Sequence, residues 1–242
     1  MRTHLLFAAA ICAGLLSAQE PGQKTFTSAA EACDALVHAV QGNNEPALEA
    51  ILGKGVISPD KEAARLERHN FAEKYAQMHR LVQEPAGTLV LYVGSENWPF
   101  PVPLVSNSGK WFFDGEAGKE EIRYRRIGED EITAMEVCDR FAAAKKQAAG
   151  KRSTGDAITQ IAQKLAADSP GSRESFHGYD FRIVGSGNLA VVAYPAEYRT
   201  SGITTFIVTS DGAVFERDLG NDTRQKAEQL KERPASGWRP AQ

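Results

Sequence analysis

The sequence predicts an α+β protein of two small modules, each with helices packed on an antiparallel sheet. Two observations lead to this class. Apolar residues first recur at helical spacing and then fall in short strand-like runs, and this order occurs twice along the chain. Tight turns join the strand-like runs, and strands joined by short turns cannot be parallel. We therefore place the modules at residues 26–130 and 131–222, with a C-terminal helix and tail at 223–242.

The first 18 residues have the composition of a secretory signal rather than of a folded element. Arg2 gives a positive start, Leu5–Leu16 is apolar and uncharged, and Ser17-Ala18 supplies small residues before Gln19. The apolar run is shorter than the roughly 20 residues that span a bilayer. We expect export, with residues 19–25 as a flexible lead-in and no membrane-spanning segment in the mature chain.

The first module begins with helices, which caps and apolar spacing locate. Three are expected: from the Ser28 cap, at Glu45–Leu52, and from Asp60 through His79. An apolar strand at 88–93 and a hairpin around Asn107–Lys110 follow, and a charged helix starts at Glu116. The order is helices first and then sheet.

The second module repeats that order. A helix is expected at Ile132–Ala149, and a further helical piece carries Ile158 and Leu165. Four short strands follow, at Tyr179–Val184, Leu189–Tyr194, Thr204–Val208 and Val214–Arg217. The turn at Ser210-Asp211-Gly212 contains the Asp-Gly pair that is typical of hairpins.

Charge and cysteine content exclude some classes of function. The 242 residues carry 28 Lys and Arg against 31 Asp and Glu, a net charge of −3, and loss of Arg2 makes the mature chain slightly more acidic. Nucleic-acid binding needs a basic stripe, so nucleic acid is not an expected partner. Two cysteines remain after the signal, Cys33 and Cys138; they form either a disulfide or two buried thiols.

The aromatic and proline-rich segment from Trp98 to Pro103 is the predicted binding surface. Prolines at 99, 101 and 103 remove backbone donors, which indicates an edge strand or an extended rim. Protection against aggregation explains such prolines. The same prolines also present Trp98 and Phe100 on a stiff ledge that suits a peptide or protein.

Carboxylates after the hairpin offer an alternative, catalytic interpretation. Asp114, Glu120 and Glu121 lie where a strand ends and a helix begins, and the helix dipole alone accounts for acidic residues there. Beside Trp111 they also resemble a paired-carboxylate site of a hydrolase, placed between the two modules. We retain this hydrolase as the alternative and assign no catalytic residue.

Arginines on the same helix offer a site for an anion, and metal sites are not indicated. Arg125 and Arg126 could bind a carboxylate or phosphate, although nearby glutamates such as Glu121 and Glu129 can pair with them. The histidines do not show metal-ligand spacing. We expect neither a metal nor a cofactor.

Several short motifs together resemble one exported bacterial family, domain of unknown function 2950. They are His79-Arg80-Leu81, Trp98–Leu104, Gly109–Asp114, Gly118–Ile122, Arg126–Gly128, His177-Gly178-Tyr179, Pro195–Tyr198, Thr205-Phe206 and Asp211–Gly220. The resemblance implies a bacterial, exported protein and carries no assigned chemistry. The stretch 151–168 lacks the Trp-Pro segment usual in that family.

Each module also resembles a known architecture. The first is similar to nuclear-transport-factor-2-like domains, and the second to a pilin-like headpiece; fold alone does not give function. The sequence therefore predicts an uncharacterised periplasmic or secreted protein, a non-catalytic module that binds an envelope protein or a small ligand.

Overall fold

The computed structural model describes residues 19–85, 87–146 and 155–241, and the predicted signal segment lies outside these ranges. The chain divides into two compact units, the first ending at Ile122 and the second beginning at Arg123. Across the described residues, six helices accompany two antiparallel sheets, so the α+β class is confirmed. None of the described helices has the length and apolar character needed to cross a membrane.

The first unit opens with three capped helices. They are α1 (Ala29–Gln41), α2 (Glu45–Leu52) and α3 (Lys61–Gln77). The side chains of Ser28, Asn44 and Asp60 accept hydrogen bonds from the first-turn N–H groups of these helices. Capping residues close to each helix in the sequence therefore fix where all three helices begin.

The sheet of the first unit contains five strands. They are β1 (His79–Gln83), β2 (Leu89–Val93), β3 (Trp98–Pro99), β4 (Leu104–Asn107) and β5 (Lys110–Phe113). The order is β1-β2-β4-β5, and the short β3 also pairs with β2. The prediction that α3 continues through His79 is wrong, because pairing of β1 with β2 and burial of Leu81 on the core outweigh helix propensity.

The lead-in at residues 19–25 is bonded to the body of the first unit. Gln23 is 8% exposed, and its Nε2 donates to the carbonyls of Ile51 at 3.0 Å and Phe113 at 2.6 Å. Its side chain thereby joins α2 to the end of β5. Polar glutamine in a short N-terminal segment gives no sign of such burial in the sequence.

One helix, α4 (Gly115–Lys146), replaces the two helices that were predicted from Glu116 and Ile132. The helix continues through Gly128, where a Cβ would meet nothing within 4 Å. A glycine within a helix costs about 1 kcal/mol relative to alanine, which neighbouring turns can offset.

The second unit has a six-stranded sheet covered by helices on both faces. Its elements are α5 (Ala157–Ala167), β6 (Arg173–Phe176), β7 (Tyr179–Ser186), β8 (Leu189–Pro195), β9 (Thr204–Thr209), β10 (Val214–Asp218), α6 (Thr223–Gln229) and β11 (Arg239–Pro240). The sheet order is β11-β10-β9-β8-β7-β6. The four predicted strands are present as β7 to β10, and the tail adds a strand, since Arg239 and Pro240 pair with β10.

Two apolar clusters of this unit lie on opposite sides of the sheet. One joins α4 and α5 to the sheet, and its members include Phe141, Leu165, Phe181 and Val208. The other contains Ala227 of α6 together with Val192, Tyr194 and Ile207. Ile207 and Val208 are adjacent on β9 and lie in different clusters, because successive side chains of a strand point to opposite faces of the sheet.

Candidate functional site

The Trp98–Phe100 ledge is more deeply integrated than its sequence suggests. Trp98 is 38% exposed, whereas the half-buried Phe100 packs its ring 5.3 Å from Phe71 and 6.1 Å from Phe113 between centroids. The two rings of the ledge lie 6.5 Å apart, edge to face. Phe100 therefore belongs to the core of the first unit, and Trp98 is the exposed member of the pair.

The predicted carboxylates have different environments along α4. Asp114 is 9% exposed, and its Oδ1 accepts the Ala117 N–H at 3.1 Å, which caps α4. Glu120 is exposed and Glu121 half-buried. Trp111 is half-buried and exchanges backbone hydrogen bonds with Phe26 at 2.8 and 2.9 Å. The Asp114 carboxylate is thus engaged in a structural cap.

The predicted arginines are both on α4. Arg125 is half-buried, and Arg126 is exposed. Arg126 Nε lies 3.9 Å from Oδ2 of Asp130, one helical turn onward, rather than beside Glu129. Residues four apart on a helix share a face, which favours Asp130.

Both described cysteines are free thiols. Cys33 belongs to the core cluster of the first unit and Cys138 to the α4 cluster of the second, so the open alternative of a disulfide does not occur in this structure. Burial raises the pKa of the Cys33 thiol to about 12 and raises that of Cys138 further still.

Native protein is expected to resist alkylation at both cysteines. A thiol with a raised pKa holds almost no thiolate at pH 8, and the thiolate is the reactive form. Iodoacetamide at pH 8 should leave Cys33 and Cys138 unlabelled in the native protein and should label both after unfolding in guanidinium without reductant. Peptide mass spectrometry measures the labelling. Labelling that needs a reductant would instead reveal a disulfide.

The most unusual polar arrangement lies in the second unit and is here called the Asp130 cluster. It consists of Arg126, Asp130 and Glu131 on α4, the His177-Gly178 turn, and the loop 197–203 between β8 and β9. His177 and Gly178 join β6 to β7 with φ of 44° and 70°. Positive φ at both central residues is the mark of a type I′ hairpin, in which Asn-Gly is preferred. Histidine, like asparagine, is enriched among non-glycine residues with positive φ.

The parts of the Asp130 cluster are in direct contact. A Cβ on Gly178 would lie 2.7 Å from Oδ2 of Asp130 and 2.7 Å from Cβ of Ser201. Real Cβ atoms essentially never approach that closely, so only glycine fits at this position. The turn backbone, the loop and the carboxyl group pack against one another here.

The loop 197–203 is tied down by hydrogen bonds at several points. Glu131 Oε1 accepts the N–H groups of Ile203 at 2.7 Å and Thr204 at 2.9 Å. Ser201 Oγ accepts from Glu197 N at 3.1 Å and donates to the Glu197 carbonyl at 3.2 Å. The loop is therefore held in one conformation against α4.

Asp130 itself is buried without a full set of partners. The residue is 7% exposed, and its Oδ2 has no hydrogen bond. Arg126 Nε lies 3.9 Å from Oδ2 and His177 Nδ1 lies 4.0 Å from Oδ1, both within ion-pair distance but beyond hydrogen-bond distance. Burial raises the pKa of the Asp130 carboxyl and Glu129 adds to this, whereas Arg126 and His177 lower it. Buried polar atoms are normally paired, so this oxygen needs an explanation.

Asp130→Asn is expected to stabilise the protein near pH 7 and to leave it unchanged near pH 3. Because the pKa of Asp130 is raised on folding, the wild type loses stability as the pH rises above the unfolded-state pKa, and the amide does not titrate. Urea unfolding of both proteins at several pH values measures this. Asp34→Asn, at an exposed position on α1, reports the effect of net charge alone. An equal gain at pH 3 and pH 7 would contradict the assignment.

The Asp130 cluster was missed by sequence reasoning. Asp130 stands in the run Gly-Glu-Asp-Glu, which looks like a solvated helix face, and His177 stands alone in the sequence. The available signal was His-Gly between two strand-like runs, a weak hairpin pattern. Within the described ranges, no three His, Cys, Asp or Glu side chains are grouped so that they could hold a metal ion.

Comparison with known proteins gives one match. The model of a family described as Protein of unknown function (DUF2950) matches residues 23–176 and 185–241. Arg126, Asp130, Glu131 and the loop 197–203 lie in the matched ranges, and the segment between those ranges contains His177. No curated protein and no solved structure matches the chain. The resemblances to nuclear-transport-factor-2-like and pilin-like folds stay predictions.

Proposed function

This chain belongs to the family of proteins of unknown function DUF2950, and we propose that it is an exported, non-catalytic binding protein whose ligand docks on the Asp130 cluster. The partner is a small ligand or a ligand group displayed by another envelope component. Export is supported by the signal-like composition of residues 1–18.

The state of Asp130 carries this proposal. A carboxyl group that is 7% exposed, with one oxygen lacking a hydrogen bond, destabilises the fold. A binding role would explain why such a group is present. Titratable groups with perturbed pKa values in specific charged surroundings concentrate at functional sites. The exposed Arg126 and His177 beside it give a ligand access to polar atoms.

The bonding of neighbouring groups favours binding over turnover. The hydroxyl of Ser201 is held by the Glu197 backbone, and the Glu131 carboxylate is held by two backbone N–H groups. A nucleophile or general base needs a lone pair directed at the substrate. The hydrolase alternative at Asp114, Glu120 or Glu121 stays a prediction.

Export is tested by expression of the full chain in a bacterial host, followed by fractionation. The expected result is a periplasmic or secreted protein whose N-terminus, by mass spectrometry, is Gln19. A product that retains Met1–Ala18 in the cytoplasm would overturn the exported part of the proposal.

Ligand docking is tested by NMR on uniformly ¹⁵N-labelled protein. The probes are inorganic phosphate, acetate, ethylammonium, N-acetylglucosamine and a tetra-alanine peptide. We expect at least one probe to shift the amide signals of Gly178 and Ser201, with no chemical change in the probe. Conversion of a probe would overturn the non-catalytic assignment. Shifts confined to other residues, or none with any probe, would overturn the docking site.

A further inference from the structure

Resting on the proposed binding function, we infer that the ligand group recognised by the Asp130 cluster is an oxyanion, a carboxylate or a phosphate, held between the side chains of Arg126 and His177. The Asp130 carboxyl group lies beneath it, and the protonated form of this group can donate a hydrogen bond to one of its oxygens.

The order in which a ligand meets the side chains favours an anion. The side chain of Arg126 is 75% exposed and that of His177 is 58% exposed, whereas that of Asp130 is 10% exposed. A ligand that approaches from solvent therefore contacts the guanidinium and imidazole groups before it reaches the carboxyl group. The guanidinium group of Arg126 is always charged, so it attracts an anion and repels a cation.

The two basic side chains also keep hydrogen-bonding capacity toward a ligand. Their contacts with Asp130 are 3.9 and 4.0 Å, longer than a hydrogen bond. Polar contacts at such distances commonly hold a bridging oxygen atom, from water or a ligand. Guanidinium groups bind carboxylate and phosphate with two parallel N–H···O bonds, which makes Arg126 the stronger of the two contacts.

His177 brings an imidazole to the side of the Asp130 carboxyl group. Its φ of 44° lies in the left-handed region, which asparagine, aspartate and histidine adopt more readily than most other side chains. The turn places its ring beside Asp130, in reach of the same ligand oxygen. Asparagine at this position would keep the turn and remove the imidazole.

The protonation state of Asp130 couples binding to pH. The surrounding titratable and charged groups are Arg126, Glu129 and Glu131 on α4, His177 in the turn, and Tyr179 on β7. Burial raises the pKa of Tyr179, so its hydroxyl stays neutral. An ionised Asp130 repels an oxyanion, whereas the protonated form donates a hydrogen bond to it. Burial raises the pKa of Asp130, so binding strengthens as the pH falls through that raised value.

The test is NMR titration with inorganic phosphate and with acetate at constant ionic strength, at pH 5.5 and pH 7.5. Four variants are compared with the wild type: Arg126→Gln, His177→Asn, Asp130→Asn, and the control Arg65→Gln. Arg65 is also highly exposed, at 70%, and pairs with Glu62 on α3. Shifts of Gly178 and Ser201 report occupancy.

We expect Arg126→Gln to raise Kd roughly tenfold, because charge-assisted hydrogen bonds are lost, and His177→Asn to raise it several-fold, because the contact from the imidazole is lost. Asp130→Asn should tighten binding at pH 7.5, and Arg65→Gln should leave Kd unchanged. Binding of phosphate but not acetate identifies a phosphate-bearing ligand, and binding of both identifies a site that accepts carboxylates.

Other outcomes separate this inference from the proposed function. If ethylammonium or N-acetylglucosamine shifts Gly178 and Ser201 while neither oxyanion does, the oxyanion inference fails and the docking site stands. If the oxyanions bind Arg126→Gln and His177→Asn as tightly as they bind the wild type, the oxyanion is not held between these two side chains. If no probe in the panel shifts either signal, the proposed docking site itself fails.

Discussion

Replacement of Phe141 by alanine is expected to lower the free energy of unfolding by about 3–5 kcal/mol. Phe141 is 1% exposed and lies on α4 within the cluster that joins this helix to the sheet of the second unit. Deletion of its ring removes buried apolar surface and leaves a cavity that surrounding side chains fill only in part.

A second aromatic residue on the same helix provides the control. Tyr124 is 56% exposed, so Tyr124→Ala should change the free energy of unfolding by no more than about 0.5 kcal/mol. Urea titration followed by circular dichroism measures both variants. Equal losses for the two would show that α4 does not pack on the sheet through Phe141.

Glu131→Ala is expected to lower the free energy of unfolding by about 2–4 kcal/mol. The carboxylate of Glu131 accepts two backbone N–H groups, from Ile203 and Thr204, where the loop 197–203 enters β9. The variant leaves both donors without this acceptor in a partly buried position. The loss should also release the loop, and with it Ser201 in the Asp130 cluster.

Hydrogen exchange identifies the origin of that effect. The amides of Ile203 and Thr204 should exchange much faster in Glu131→Ala than in the wild type, while those of the first unit stay unchanged. Glu131→Gln keeps an acceptor oxygen, so its loss of stability should be about half as large or less. If Glu131→Ala leaves both amides protected, another group holds the loop.

Several elements were predictable because their causes are local. The caps at Ser28 and Asp60 and the hairpins at Asn107–Lys110 and Ser210–Gly212 depend on residues within four positions of one another. Side-chain hydrogen bonds to nearby N–H groups, and the positive φ that glycine accepts, act in the same way in any fold.

Other elements depend on partners far along the chain. β1 forms because β2 pairs with it, and β11 forms because Pro240 and Arg239 meet Phe215 and Glu216. The single helix α4 continues through Gly128 although glycine has a low helix propensity. Helix and strand propensities are weak beside such contacts.

The α+β class, the helix caps, the main hairpins and membership in the family could all be predicted from the sequence, because they follow from apolar period, turn chemistry and local motifs. Tertiary structure decided which polar residues meet. Asp130 and His177, 47 positions apart, come together only because the β6–β7 turn packs on α4 through a glycine that leaves no room for a side chain. The chemistry of a site depends on such close approach, and no pattern along a single chain encodes it directly.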